Sequence, residues 1–144
     1  MKVIFIDIDG VLNSTSGQGP YESDMEVEKL LLLKKLINET GASGVVIISE
    51  RRLSIVDIKH KLEVFKMFSI NVLGSIRKPN HGLFDNRGRQ IQDYLELHPE
   101  IDTVVILDDF DEGISKLFKD EYIRVNNYYG LNEDIYNKVV AILK

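Results

Sequence analysis

Residues 2–13, KVIFIDIDGVLN, place a run of apolar residues directly before two carboxylates, Asp7 and Asp9. The apolar run is typical of a strand that is buried on both faces of a sheet. Ligands of open parallel sheets bind beyond the carboxyl ends of the strands, so both acids are predicted to lie in a ligand site. Gly10 follows them and allows a sharp turn and a close approach to a ligand. We therefore expect an α/β fold with a functional site at the end of the first strand.

The composition is ordinary for a globular protein, and we expect residues 1–144 to form a single domain. The chain has no cysteine, which excludes a disulfide, a thiolate zinc site and a cysteine nucleophile. Its net charge of −5 argues weakly against broad, nonspecific nucleic-acid binding, because phosphate contacts require clustered Lys and Arg. The first apolar run is too short for a signal peptide or a membrane span, so we expect a cytoplasmic protein that does not bind membranes.

Four further strands are predicted along the chain, and one of them ends in a second pair of acids. The strand at 103–107 is followed by Asp108 and Asp109, and Asp111 and Glu112 after them are expected to begin a helix, where acids are favourable. The other strands are predicted at 45–48, which ends in Ser49 and Glu50, at 67–73 and at 122–125.

Amphipathic segments separate these strands. The first predicted helix has an apolar face through about Thr40, a cap at Ser23 or Asp24 and a stop at Gly41; its apolar residues are Leu30, Leu31, Leu33, Leu36 and Ile37. Further helices are predicted over 53–66, over 84–97 and after Gly130. This alternation of strands and helices predicts a three-layer domain with a parallel sheet.

For the residues of two loops, two alternative roles are predicted. The loop at 74–82 contains Arg77, Lys78 and His81, which are expected either to contact a substrate or to be scattered, solvated bases. Asn126 and Asn127 follow the fifth strand and are either turn residues or substrate contacts.

The string Asp7-Ile8-Asp9-Gly10-Val11-Leu12-Asn13 resembles the first motif of the haloacid dehalogenase (HAD) superfamily, DxDGVLN. Most members of that superfamily are magnesium-dependent phosphatases and phosphotransferases. Asp108 and Asp109 resemble its fourth motif, an acid pair that completes the Mg²⁺ site. Ser49 stands where the second motif has a Ser or Thr that hydrogen-bonds the phosphoryl group.

The third motif of the superfamily is a Lys or Arg that balances the negative charge of phosphate and carboxylates. Arg87 is the candidate for this position, and Lys78 is the alternative. Residues 87–95, RGRQIQDYL, resemble the RGxEIxxWL string of a small HAD branch whose name links it to RNA repair proteins, with Gln90 and Tyr94 in place of Glu and Trp.

Some branches of the superfamily have a Ser-x-Trp-Arg string after the second strand. Residues 49–52 resemble it, with Arg51 in place of Trp. Arg52 matches its Arg and is either a phosphate-binding or bracing residue or part of a surface salt bridge. The residues expected to bind substrate are Gly10, Glu50, Arg52 and Lys78.

The resemblance implies a Rossmann-like sheet of order 5-4-1-2-3 and phosphoryl transfer through an aspartyl-phosphate. Asp7 would be the nucleophile, Asp9 the general acid and base, and Ser49 and Arg87 further catalytic residues. The implied Mg²⁺ ligands are Asp7, the carbonyl of Asp9, Asp108 and Asp109, since oxygen ligands suit Mg²⁺.

The spacing of the motifs leaves no room for a large cap domain. About 36 residues separate Asn13 from Ser49, and about 20 separate Arg87 from Asp108. An open cleft suits a bulky phosphorylated substrate such as a nucleic-acid end or a phosphoprotein, or a partner that supplies a lid. Small phosphate esters and a catalytically silent binding module are the alternatives.

Overall fold

The computed structural model describes residues 1–14, 25–49, 55–77 and 86–144, and for residues 49, 55–57 and 77 it describes the backbone. Strands and helices alternate along the described chain, as the sequence predicts. The strands are β1 (Lys2–Asp7), β2 (Gly44–Ser49), β3 (Val72–Arg77), β4 (Thr103–Asp108) and β5 (Tyr122–Arg124). The helices are α1 (Val27–Thr40), α2 (Ile55–Met67), α3 (Arg87–Leu97), α4 (Ile114–Leu117) and α5 (Glu133–Leu143).

The five strands form one parallel sheet of order β3-β2-β1-β4-β5. This order is the predicted 5-4-1-2-3 arrangement read from the opposite edge, so the predicted fold class is confirmed. In the register of the central strands, Asp7 pairs with Ile48 of β2, and Ile6 pairs with Leu107 of β4. The ends of β1 and β4 are therefore level, and Asp7 and Asp108 meet at the carboxyl edge of the sheet.

Each face of the sheet is covered by its own apolar cluster, because successive side chains of a strand point to opposite faces. Ile4 and Ile6 of β1 belong to the cluster that contains residues of α1, α2 and α5. Val3 and Phe5 belong to the other cluster, which includes Ile91 of α3 and Ile114 of α4. All four β1 side chains are fully buried, which confirms a strand buried on both faces.

Helix α1 differs from its predicted form at two points. Leu31 is exposed, whereas Lys29 is buried and its ammonium group pairs with Glu26 at 2.9 Å. The N-cap is Glu26, without a side-chain cap, and the predicted caps Ser23 and Asp24 lie outside the described residues. Gly41 ends the helix as predicted, in a left-handed conformation with φ of 74°.

The predicted third strand, 67–73, is wrong in its position. Helix α2 continues to Met67, which is exposed, and Ser69 then adopts a left-handed φ of 56°. The Ile70 N–H donates to the Phe65 carbonyl at 2.9 Å, and the Ile70 side chain is buried against the core, so this apolar residue closes a helix. Strand β3 therefore begins at Val72, and residues 74–77 of the predicted basic loop belong to it.

Successive strands of the described chain are connected through one helix each, and no cap domain is found among the described residues. Asp111 and Glu112 lie before α4 as expected, and Asp111 Oδ1 accepts from the Ser115 N–H at 3.0 Å. None of the described helices combines the length and the apolar character that crossing a membrane requires.

Candidate active site

Three carboxylates meet where β1 and β4 end. One carboxylate oxygen from each of Asp7, Asp108 and Asp109 lies within 4.8 Å of the others. Asp7 and Asp108 are buried, and Asp109 is half-buried. The parallel pairing of β1 with β4 brings these residues together although about 100 positions separate them in the sequence.

Backbone and side-chain donors hold these carboxylates in place. Asp7 Oδ1 accepts from the Ile8 N–H at 2.9 Å, and Asp108 Oδ1 accepts from the Phe110 N–H at 3.0 Å. Asp109 Oδ2 accepts from the Asn127 amide at 3.4 Å. The turn after each strand thus orients the carboxylates at the strand end.

Arg87, the first residue of α3, inserts its guanidinium among the acids. Its side chain is 2% exposed, and Nη1 donates to Asp108 Oδ2 and lies 3.7 Å from Asp7 Oδ2. Its Nε lies 3.8 Å from Glu112 Oε2. Glu112 was not predicted to lie in this site, since its position before α4 is typical of an acid that begins a helix.

Burial, together with repulsion between neighbouring carboxylates, raises the pKa of two of these acids. Burial raises the pKa of Asp7 well above its ordinary value, and the neighbouring Asp108 raises it further, while Arg87 opposes both. Burial also raises the pKa of Asp108 to about 6, against the lowering influence of Arg87. The protein without a bound cation therefore holds these carboxylates at an electrostatic cost.

The chemistry of this cluster fits a magnesium ion. Carboxylate oxygens are hard ligands, and Mg²⁺ is typically bound by one or two carboxylates together with water and phosphate oxygens. A divalent cation would also compensate the charge that Arg87 leaves unbalanced. Among the described residues, Asp7, Asp108 and Asp109 can supply side-chain oxygens.

The second acid of β1, Asp9, is held by Asn13. The Asn13 side chain is fully buried, its Nδ2 donates to Asp9 Oδ1 at 3.1 Å, and its Oδ1 accepts from the Gly10 N–H at 2.8 Å. No role of its own was predicted for Asn13, although its place at the end of the motif string was an available signal.

The position of Gly10 leaves no room for a side chain. Its φ is +85°, and a Cβ there would lie 2.4 Å from Asp109 Oδ2. Gly10 therefore lets the loop after β1 approach the acids of β4.

The remaining predicted site residues are only partly described. Ser49 ends β2 at the same edge of the sheet, one residue beyond the partner of Asp7, and its backbone alone is described. Glu50, Arg52, Lys78 and His81 lie outside the described residues, so Arg87 is the third-motif candidate that the structure places beside the acids.

A parallel sheet of this strand order, with carboxylates at the ends of β1 and β4, defines an α/β protein of the haloacid dehalogenase type. The chain belongs to the family described as the HAD domain in Swiss Army Knife RNA repair proteins, whose model matches residues 3–135. The family resemblance predicted from the motifs is thereby confirmed.

A solved structure of a Pnkp1/Rnl/Hen1 complex contains a chain with a similar fold. The TM-score is 0.52 at 20% sequence identity, and the match covers 91% of this chain and 47% of the other. This chain thus spans about half the length of that relative, and the likeness concerns the fold alone. A comparison with curated proteins found no match.

Proposed function

We propose that this protein is a magnesium-dependent phosphatase that removes a phosphoryl group from a polynucleotide end. The observation that carries the proposal is the cluster of Asp7, Asp108 and Asp109 around the buried Arg87. Membership of a HAD family of RNA repair proteins supports the reaction class and the kind of substrate.

In the first step, a carboxylate oxygen of Asp7 attacks phosphorus, and the bond between phosphorus and the ester oxygen breaks. Asp9 donates a proton to the departing oxygen, which leaves as an alcohol. Asn13 holds the Asp9 carboxyl group through its amide at 3.1 Å, so the proton donor keeps one orientation.

In the second step, a water molecule attacks the phosphorus of the aspartyl-phosphate on Asp7. Asp9, now ionised, accepts a proton from this water. The bond between phosphorus and the Asp7 oxygen breaks, which releases inorganic phosphate and restores the Asp7 carboxylate. Arg87 stays beside Asp7 and Asp108 throughout and offsets part of their negative charge.

Bound Mg²⁺ would supply charge neutralisation between the carboxylates and the phosphate. Asp7, Asp108 and Asp109 would hold it with side-chain oxygens, together with the carbonyl of Asp9. Ser49 is proposed to hydrogen-bond the phosphoryl group, and Gly10, Glu50, Arg52 and Lys78 are proposed to contact the substrate.

The described residues form no cap over the acids, and this favours a bulky substrate. No cap domain stands over the acids in the part of the chain that is described, and the family model names RNA repair proteins. A terminal phosphate on a polynucleotide can approach such a site without enclosure.

The test is the release of inorganic phosphate in Mg²⁺ and in EDTA from five substrates: an aryl phosphate, 3′- and 5′-phosphorylated oligonucleotides, a nucleotide and a phosphopeptide. Wild type is compared with Asp7→Asn and with Asp120→Asn, a control that removes an exposed acid outside the cluster. We expect Mg²⁺-dependent release, fastest from an oligonucleotide, that is lost in Asp7→Asn and kept in Asp120→Asn.

Two results would contradict the proposal in different ways. Release that persists in Asp7→Asn would remove the aspartyl-phosphate mechanism. A folded protein that binds Mg²⁺ and releases phosphate from none of the five substrates would indicate a binding module with this fold.

A further inference from the structure

We infer that the turn after β5 binds the terminal nucleoside of a single-stranded polynucleotide, with its base stacked on one ring of the Tyr128–Tyr129 pair. This inference rests on the proposed function, in which the neighbouring acids are the site of phosphoryl transfer. It adds a substrate-recognition site outside the acid cluster and assigns it to residues 124–129.

The exposed aromatic side chains all follow strands that end at one edge of the sheet. Among the described residues, the large exposed aromatic side chains are Phe110, Tyr128 and Tyr129, each more than half exposed. Phe110 follows β4 and the tyrosines follow β5, and these strands are neighbours whose carboxyl ends share one edge. Aromatic residues elsewhere in the described chain are packed at least in part, so exposure here is not a general property of the surface.

A pocket of about 350 Å³ lies directly beside the acid cluster. It is lined by Asp109, Arg124, Val125, Asn126 and Asn127, so one wall is a proposed metal ligand. Arg124 is exposed and lies at no ion-pair distance from a described carboxylate, and its Nε donates to the Asp109 carbonyl at 3.3 Å. The pocket is therefore lined by a cation and two amides, next to Asp109 of the acid cluster.

The turn that carries the tyrosines is held rigidly. The Tyr129 and Gly130 N–H groups both donate to the Asn126 carbonyl, and the Leu131 N–H donates to the Val11 carbonyl at 2.7 Å. Val11 belongs to the loop that follows Asp9, so the turn is tied to the proposed catalytic loop. The two rings meet edge to face, with centroids 4.9 Å apart.

This combination favours a nucleoside over a phosphorylated peptide. Proteins that bind single strands combine aromatic side chains, on which bases stack, with cations that follow the backbone. A phosphopeptide site is typically built from clustered arginines, and residues 124–129 contain one. In a duplex the bases are already stacked on each other, so we expect a preference for single strands.

The experiment measures binding of a fluorescein-labelled single-stranded RNA of about ten nucleotides with hydroxyl ends, by fluorescence anisotropy in Mg²⁺. This probe has no terminal phosphate to release, so its binding is measured independently of catalysis. The variants are Tyr128→Ala/Tyr129→Ala, Tyr128→Phe/Tyr129→Phe and, as a control, Leu97→Ala, which removes an exposed apolar side chain at the opposite end of α3.

We expect the alanine pair to raise the dissociation constant about 10-fold or more, because stacking on an aromatic side chain contributes strongly to single-strand binding. The phenylalanine pair and Leu97→Ala should bind as wild type does, and a duplex of the same sequence should compete several-fold less well. Thermal unfolding of each variant verifies that the protein is folded.

An unchanged dissociation constant in the folded alanine pair would overturn the inference. So would a phosphopeptide that competes with the RNA as well as unlabelled RNA does and loses affinity equally in the alanine pair. If the five-substrate test shows no phosphate release while tyrosine-dependent RNA binding remains, the phosphatase fails and the nucleoside site stands.

Discussion

The buried side chain of Asn13 links the Asp9 carboxylate to the backbone of Gly10: its amide donates to Asp9 Oδ1 at 3.1 Å, and its oxygen accepts from the Gly10 N–H at 2.8 Å. A buried amide that hydrogen-bonds both Asp9 and Gly10 restricts the orientation of the Asp9 carboxyl group. Asp9 is the proposed proton donor, so Asn13 is a positioning residue of the proposed reaction.

Asn13→Ala is expected to slow phosphate release most for substrates with poor leaving groups. An alkyl phosphate needs protonation of its departing oxygen, so we expect its rate to fall about 10-fold or more, while an aryl phosphate with a good leaving group changes less. The buried Gly10 N–H loses its acceptor, which should lower the free energy of unfolding by about 1–3 kcal/mol. The control is Thr40→Ala, which removes a buried hydroxyl remote from the acids. Equal slowing of both substrates would contradict a positioning role.

Asp7→Asn is expected to reduce turnover by about 10⁴-fold or more and to leave the fold intact. It should also stabilise the metal-free protein, because it removes one of several crowded acids. Phosphate release and urea unfolding in EDTA measure the two effects. A variant that fails to fold would indicate that Asp7 has a structural role instead.

The stabilisation by Asp7→Asn should grow as pH rises. The pKa of Asp7 is raised in the folded protein, so the folded state of the wild type takes up a proton that the unfolded state has released. The free energy of unfolding that the wild type gains from the proton on Asp7 is fully present below the ordinary pKa of 3.8 and is lost as pH rises through the raised pKa. Unfolding of both proteins in EDTA between pH 4 and pH 8 measures this difference, and a difference that shrinks with pH would contradict the charge argument.

Arg87→Met is expected to destabilise the metal-free protein by about 3–5 kcal/mol at pH 8, because it leaves buried acids without their cation. The loss should be smaller at pH 5, below the pKa of about 6 for Asp108, where protonation removes part of the repulsion. Arg89→Met, an exposed substitution on the same helix, is the matched control. Urea unfolding in EDTA at both pH values measures the effect; equal losses at the two pH values would argue that Arg87 acts through packing.

Mg²⁺ is expected to raise the thermal unfolding midpoint by about 5 °C or more at concentrations well above its dissociation constant, because it binds the folded state. Asp108→Asn should abolish the increase, and Asp120→Asn should keep it. Thermal unfolding at constant ionic strength, with Mg²⁺ or EDTA, measures the shift. An increase that survives in Asp108→Asn would place the ion elsewhere.

Gly10→Ala is expected to be more damaging than Gly41→Ala, although both glycines have a positive φ. A Cβ at Gly41 meets no atom within 4 Å, so this change should cost about 1–2 kcal/mol of left-handed strain. A Cβ at Gly10 adds a clash with Asp109, which should cost at least about 1 kcal/mol more and weaken the response to Mg²⁺. Urea unfolding and the Mg²⁺-dependent thermal shift compare the two variants. Equal costs and an unchanged shift would show that the loop relaxes away from Asp109.

The sequence by itself determined the fold class and the acids of the site. The apolar runs that end in Asp7 and Asp108 indicate strands buried on both faces, because successive side chains of a strand point to opposite faces. The acids that follow each run therefore lie at the carboxyl ends of these strands. Helix signals such as Gly41 were equally local, since a left-handed residue ends a helix wherever the helix lies in the fold.

Tertiary structure alone decided which distant groups meet the acids. Arg87, the predicted candidate, pairs with Asp7 and Asp108 because α3 begins at the same edge of the sheet, and no local pattern shows which acids it meets. The position of β3 was missed because Ile70 packs at a helix end, where its burial resembles that of a strand residue. The tyrosine turn lies beside Asp109 because β5 pairs with β4, and that proximity depends on strand order, which local periodicity does not contain.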